Sequence, residues 1–351
     1  MTGGIDMRAT PQERDTPDTV PATGAVSDEM VLPSSPDASP DSSRRNPVPL
    51  SIQSLRRRWP KPGAASRAEA DGDAFIANAV RALAGGSYTV AVVGAKGGVG
   101  ATTIALLAGA LLAEVPEARP ALVELAADWG GIGGLLGDTG SRTVVDLLAH
   151  LTAAHSAGLG FIQGFMTPWA HLPVLLAPHA PGFAARLTVT DYERTLHLLR
   201  THYNLVLLDC GPSLIHPPTR FALDIADHVM LVTNPDPVAL RRAHRAVYYL
   251  TGPPHTFNSA SCTTDTGTRA HALTDITMVF NDTGVASVHA FDHPAWKEVM
   301  PHLNTLAPFP HLPSVSHPSA LSTLSVKTLP PPHRRALKTL LTAVLGRLAY
   351  P

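Results

Sequence analysis

The sequence has few cysteines, few aromatic residues and little charge. Of 351 residues, two are cysteine, 5% are aromatic and 16% are charged, with a formal net charge of −1. Cys210 and Cys262 cannot build a disulfide framework, so a reducing, cytoplasmic compartment is expected. The charge balance argues against a strongly basic nucleic-acid binder. No run of about 18 apolar residues is present, so neither a membrane-spanning protein nor a secreted one is expected.

Proline, by contrast, is abundant and is concentrated near the N-terminus. Ten of the 33 prolines lie in the first 62 residues, and residues 1–43 hold eight acidic side chains against two arginines. Such a segment buries too little apolar surface to offset the entropy of ordering. We predict a disordered arm over residues 1–72, with a basic patch at residues 44–61, and one domain over residues 73–351. The basic patch is either a solvated linker or a docking segment for an acidic partner or a membrane.

Short apolar runs alternate with helical patterns from residue 73 onward. The runs span residues 88–93, 121–125, 172–177, 205–208, 228–232 and 276–280. Continuous apolar strands separated by helices are typical of parallel sheets covered on both faces. The sequence therefore predicts a doubly wound α/β fold with a mostly parallel sheet. Residues 251–275 lack periodicity and predict a long, mobile surface loop.

A glycine-rich turn follows the first predicted strand. It reads Gly94-Ala95-Lys96-Gly97-Gly98-Val99-Gly100-Ala101-Thr102-Thr103 and leads into an apolar helix. In this arrangement backbone N–H groups wrap a phosphate, and the helix N-terminus adds a partial positive charge. Compared with the P-loop pattern G-x-x-x-x-G-K-[ST], Ala95 replaces the first glycine and Ala101 replaces the lysine. Thr102 keeps the hydroxyl expected on Mg²⁺, and the alternative is a tight turn without a ligand.

The string K-G-G-V-G-x-T-T resembles the deviant Walker A motif of the MinD/ParA family of ATPases. The resemblance covers residues 88–349 and looks closest to the CpaE/TadZ-like branch, which positions pilus or secretion machinery and in which G-A-T-T occurs. It implies a nucleotide-dependent homodimer, bridged by ATP and Mg²⁺, in which Lys96 reaches the partner subunit's nucleotide. It also implies that the phosphates are cradled by Gly97, Gly98, Val99, Gly100, Ala101, Thr102 and Thr103.

Three further polar side chains follow predicted strands. Asp209 resembles a Walker B acid that supports the metal shell, although such a residue can also cap the next turn. Glu124 stands where the family usually has Asp-x-Asp and is predicted as a second metal-shell acid. Ala126 replaces the residue that orients the attacking water in active relatives. In the family an Asn at a position similar to Asn281 contacts adenine; the alternative is an ordinary turn residue.

The replacements at Ala101 and Ala126 bear on hydrolysis. One missing electrostatic donor typically costs a factor of about 10²–10³ in rate. With Lys96 and Asp209 as the predicted catalytic residues, we expect ATP binding with weak or no hydrolysis. The predicted function is a spatial regulator that positions a pilus, secretion or division apparatus. The alternatives are a pseudo-ATPase scaffold without a nucleotide switch and a DNA or plasmid partitioning ATPase.

The last helical pattern, over residues 333–349, is apolar on one side and carries four basic residues. Such a helix either packs on the sheet or, resembling MinD, contacts the inner face of the membrane. Arg241, Arg242 and Arg245 predict a solvated helical face in preference to a DNA contact.

Overall fold

The structure is a computed structural model. It describes residues 65–125, 131–137, 142–184, 186–251, 271–284, 306–312 and 326–351. The predicted basic patch, all but the last eight residues of the predicted arm, and residues 252–270 of the predicted loop lie outside the described residues. The first helix begins at Ala65, before the predicted domain boundary at residue 73. Residues 65–70 are rich in alanine, which has the highest helix propensity.

Eight strands of the described residues form one sheet. They are β1 Tyr88–Gly94, β2 Pro120–Glu124, β3 Thr167–Trp169, β4 Leu172–Leu175, β5 Leu205–Asp209, β6 His228–Thr233, β7 Ile276–Asn281 and β8 Leu306–Phe309. Their spatial order is β3-β4-β2-β5-β1-β6-β7-β8, and every neighbouring pair is parallel except β3 with β4. The predicted mostly parallel sheet is confirmed.

Most helices lie in the connections between strands, while the first helix precedes β1 and the last follows β8. They are α1 Ala65–Ala82, α2 Ala101–Leu112, α3 Gly131–Leu136, α4 Val144–Ala149, α5 Leu151–Ala157, α6 Leu159–Gln163, α7 Pro181–Ala184, α8 Val189–Arg200, α9 Pro217–Ile225, α10 Pro237–Thr251 and α11 Pro331–Ala349. One face of the sheet packs against α1, α2 and α11, and the other against α4, α8, α9 and α10. Because both faces are covered, successive residues of a strand, such as Val90 and Ala91, pack into two different cores on opposite faces of the sheet.

The C-terminal helix α11 packs its apolar stripe into the core. The buried residues of the stripe are Leu337, Leu340, Leu341, Val344, Leu345 and Leu348. Ion pairs hold the polar side, with Arg334 3.0 Å from Glu114 and Lys338 2.7 Å from Asp73. In this packing the apolar stripe faces protein, so the described structure has the core-packed arrangement. Among the described helices, α11 included, no segment combines the length and the apolar character needed to span a bilayer.

The parallel order brings the ends of the central strands together. Val92 of β1 and Glu124 of β2 both pair in register with Asp209 of β5. β6 lies on the other side of β1, and β7 lies next to β6. Loops that follow the carboxyl ends of parallel strands form the ligand-binding edge in folds of this kind. The glycine-rich turn, Asp209, Glu124 and Asn281 are all at this edge.

Candidate functional site

The glycine-rich loop is pinned at its base and turns sharply at its end. Gly94 N–H donates to the carbonyl of Gly211 at 3.2 Å, and Ala95 N–H donates to that of Val232 at 2.8 Å. Gly98 and Gly100 have φ values of 79° and 85°, a left-handed conformation that glycine adopts without steric cost. Gly100 is the N-cap of α2, so the loop leads directly into the helix N-terminus.

The tip of the loop is open. A Cβ atom added at Gly97 or Gly98 would have no heavy atom within 4 Å, and both residues are exposed. Within the described part of the chain, the N–H groups of residues 97–100 donate to no backbone carbonyl. Gly100 also has no side chain with which to cap α2. Free N–H groups at a helix N-terminus attract an anion, so the loop fits a phosphate.

A hydroxyl and a buried carboxylate lie beside the loop. Thr102 Oγ1 donates to Asp209 Oδ2 at 2.7 Å, and Asp209 is 2% exposed. Its Oδ1 atom is buried and accepts no hydrogen bond of ordinary geometry from the described residues. Burial raises the pKa of Asp209 to about 6, and the charge of Glu124 adds to this, while Thr102 and the Gly211 N–H oppose it. An unpartnered carboxylate oxygen next to a hydroxyl is the kind of ligand set that Mg²⁺ prefers, so these residues fit the metal.

Both carboxylate oxygens of Glu124 accept hydrogen bonds from backbone N–H groups. Its Oε1 accepts the N–H of Ile132 at the start of α3, and its Oε2 accepts the N–H of Ala177 after β4, both at 2.9 Å. Burial raises the pKa of Glu124, while these N–H groups lower it. The carboxylate therefore ties two segments to β2, a role that sequence reasoning did not identify. Its contact with a metal stays a prediction, and Ala126 lies outside the described residues.

The loop lysine pairs with an acid of its own subunit. Lys96 Nζ is 3.5 Å from Asp236 Oδ2, and both side chains are about one-third exposed. Asp236 also caps α10, because its Oδ1 accepts the N–H groups of Val238 and Ala239 at 2.8 and 3.0 Å. The Ala239 N–H chiefly, and Lys96 to a lesser degree, lower the pKa of Asp236. An exposed ion pair contributes about 0–1 kcal/mol, so Lys96 is easily released.

The remaining predicted site residues to be placed are Val99, Ala101, Thr103 and Asn281, and none of them carries a charge. Ala101 is buried in the core on the α2 side of the sheet, and Val99 is buried with it. Thr103 is half-buried on the first turn of α2. Asn281 reaches the loop from β7, where its Nδ2 donates to the carbonyl of Val99 at 2.8 Å. Whether Asn281 contacts adenine stays a prediction.

Solved structures share this architecture. A ParA family ATPase from Chlorobium tepidum superposes with a TM-score of 0.55 at 18% identity, over 75% of this chain and 99% of that one. The cell division ATPase MinD of Pyrococcus furiosus gives 0.53 at 18% identity, over 75% and 98%. The chain has the fold of the ParA and MinD ATPases. MinD of Pyrococcus horikoshii, solved with Mg-ADP, gives 0.53 at 17% identity, over 72% of this ParA/MinD-like chain and 94% of that one.

A sequence relative comes from a different setting. The ESX-1 secretion-associated protein EspI of Mycobacterium tuberculosis is 31% identical over 149 residues, which is 42% of this chain. The aligned residues span 22%, about a fifth, of the length of that relative. No family model matches the chain. The CpaE/TadZ-like branch and the deviant Walker A assignment stay predictions.

Proposed function

We propose that the chain binds ATP and Mg²⁺ at residues 94–103 and works as a nucleotide-dependent regulator of a cellular machine. The observation that carries the proposal is the Thr102–Asp209 pair next to an open glycine loop; the buried Oδ1 atom of Asp209 accepts no hydrogen bond of ordinary geometry from the described residues. The N–H groups of Gly97, Gly98 and Gly100 bind the phosphates. Thr102 and Asp209 would hold Mg²⁺, which would neutralise part of the charge of the phosphates.

We propose weak or no hydrolysis. The position of the usual P-loop lysine is Ala101, a buried methyl group that offers no charge to the transferring phosphoryl group. Lys96 is the one lysine or arginine within residues 94–103, and its side chain pairs with Asp236 in the free subunit. These features support a switch that is set by binding more than by turnover. The same features favour the second candidate, a pseudo-ATPase scaffold that keeps the fold without a nucleotide switch.

We propose a secretion apparatus as the machine. EspI is named as a secretion-associated protein, and its similarity covers 149 residues of this chain. The resemblance to the MinD/ParA family implies an ATP-bridged homodimer, in which we propose that Lys96 reaches the partner subunit's nucleotide. In that dimer Lys96 exchanges its contact with Asp236 for a contact with phosphate.

The test is calorimetric titration with ATP and Mg²⁺, together with light scattering. Wild type is compared with Lys96→Ala and with Lys338→Ala, which also breaks a lysine–aspartate ion pair but lies on α11, away from the loop. We expect micromolar binding and dimerisation in wild type and Lys338→Ala, and loss of dimerisation in Lys96→Ala. Absence of binding at millimolar ATP would refute the proposed function and favour the scaffold. Rapid steady-state turnover would refute the weak-hydrolysis part.

A further inference from the structure

Asn281 ends β7, and its side chain reaches the middle of the phosphate loop. It is 9% exposed, and its Nδ2 donates to the carbonyl of Val99 at 2.8 Å. A backbone carbonyl accepts hydrogen bonds only, so the amide group of Asn281 must be oriented with its nitrogen toward the loop. The Val99 side chain is itself buried, at 1% exposure. The loop is therefore held from the core by Val99 and from β7 by Asn281.

The next residue, Gly100, is in direct contact with the same amide. A Cβ atom at Gly100 would lie 2.3 Å from Asn281 Nδ2, closer than two such atoms can approach. Gly100 also has a φ of 85°, which L-residues rarely adopt. The amide therefore packs against the backbone at the point where the loop becomes α2. This contact leaves no room for a side chain at the N-cap of α2.

The same hydrogen bond uses one of the two N–H groups of the Asn281 amide. Here Nδ2 is directed to Val99 at a full-strength hydrogen-bond distance. We infer that Asn281 is a positioning residue, which holds the phosphate loop in the conformation that binds phosphate. The inference rests on the proposed nucleotide binding.

The experiment compares a ligand that has both phosphates and a base with a ligand that has phosphates alone. Asn281→Asp keeps the side-chain shape but replaces the donor with an acceptor that faces the Val99 carbonyl. Affinities for ATP and for inorganic tripolyphosphate, each with Mg²⁺, are measured by calorimetry. We expect both ligands to bind about tenfold more weakly, because the loop loses a buried hydrogen bond. Asn281→Ala, which removes the donor without adding charge, is expected to give the same pattern.

Asn204→Asp is the matched control. Asn204 is also buried, and its Nδ2 donates to the carbonyl of Glu117 at 3.2 Å, but it precedes β5 at the opposite end of the strands. Its substitution is expected to lower thermal stability without changing either affinity. If only ATP binding weakens in Asn281→Asp, the side chain reads the base and the inference is overturned. Unchanged affinity for both ligands overturns it as well.

A second measurement does not need a nucleotide. Amide hydrogen exchange of Ala95 and Ile104, whose N–H groups donate to the carbonyls of Val232 and Gly100, is expected to accelerate in Asn281→Asp and to stay unchanged in Asn204→Asp. If exchange is the same in all three proteins, Asn281 does not hold the loop. If wild type binds neither ATP nor tripolyphosphate, the proposed function fails, while the exchange result still decides the role of Asn281.

Discussion

The substitution Asp209→Asn removes a buried charge from the candidate site. In the ligand-free chain the pKa of Asp209 is raised from 3.8 to about 6, chiefly by burial. At about 1.4 kcal/mol per pKa unit, the ionised carboxylate costs the folded state about 3 kcal/mol at pH 7. Asparagine has the same shape, and its carbonyl oxygen can still accept the hydrogen bond from Thr102. We therefore expect the variant to be more stable than wild type by up to about 3 kcal/mol at pH 7.

The gain should depend on pH in a defined direction. Because the folded-state pKa is raised, the contribution of Asp209 to stability is fully present below pH 3.8 and is lost as the pH rises through 6. Protonation at pH 5 relieves part of the cost in wild type, so the advantage of the variant should fall to about half of its value at pH 7. Urea denaturation at both pH values, with EDTA and without nucleotide, measures the difference.

A control variant and a binding measurement test the same reasoning. Asp227→Asn changes an exposed aspartate that accepts the Thr89 N–H, and no gain is expected there. A gain at Asp209 that is absent at pH 7, or that does not change with pH, would refute the electrostatic reasoning. The stabilised variant is also expected to lose Mg²⁺-dependent ATP binding, because the proposed metal ligand is gone.

Two further substitutions test the core and the loop. Burial lowers the pKa of His228 from 6.5 to about 4, so the free energy of unfolding decreases as the pH falls through this window. Between pH 7 and pH 5 this decrease is about 2 kcal/mol, and His228→Gln should remove it, as measured by urea denaturation. An unchanged pH profile would contradict this. Gly100→Ala should lower the unfolding free energy by about 1–3 kcal/mol, and more than Gly98→Ala does, because both have positive φ but only Gly100 contacts Asn281. Equal losses in thermal or urea unfolding would show that the contact with Asn281 adds nothing.

The strands and the site edge follow from local sequence. Continuous apolar runs predict buried parallel strands, and all six predicted runs coincide with strands that contact both cores. Asp209 and Thr102 could be placed together because both follow carboxyl ends of strands in one sheet. Sequence patterns indicate where along a strand each residue lies, and the parallel order of the strands then brings their carboxyl ends to one edge of the sheet.

Other features depend on chain topology that local patterns do not encode. Glu124 bonds to Ile132 and to Ala177, a residue 53 positions away, and no pattern indicates this pairing. The hairpin of β3 and β4 turns through Ala170 and His171, which have positive φ although neither is glycine. β8 escapes prediction because it has four residues and includes Pro308, which fits an edge strand. The adenine prediction for Asn281 came from family resemblance, and the Val99 bond was not visible in the sequence.

The anchoring of the glycine loop has a consequence for biosynthesis. Its contacts come from Gly211, Val232 and Asn281, and Asn281 is 182 residues downstream of Val99. At about 5–20 residues per second, a ribosome needs about 10 to 40 s to add that length. During the first part of this interval β1 also lacks both of its neighbours, β5 and β6, which come later in the chain. A nascent chain therefore has to keep an apolar strand unpaired, and nucleotide can stabilise only the nearly completed fold.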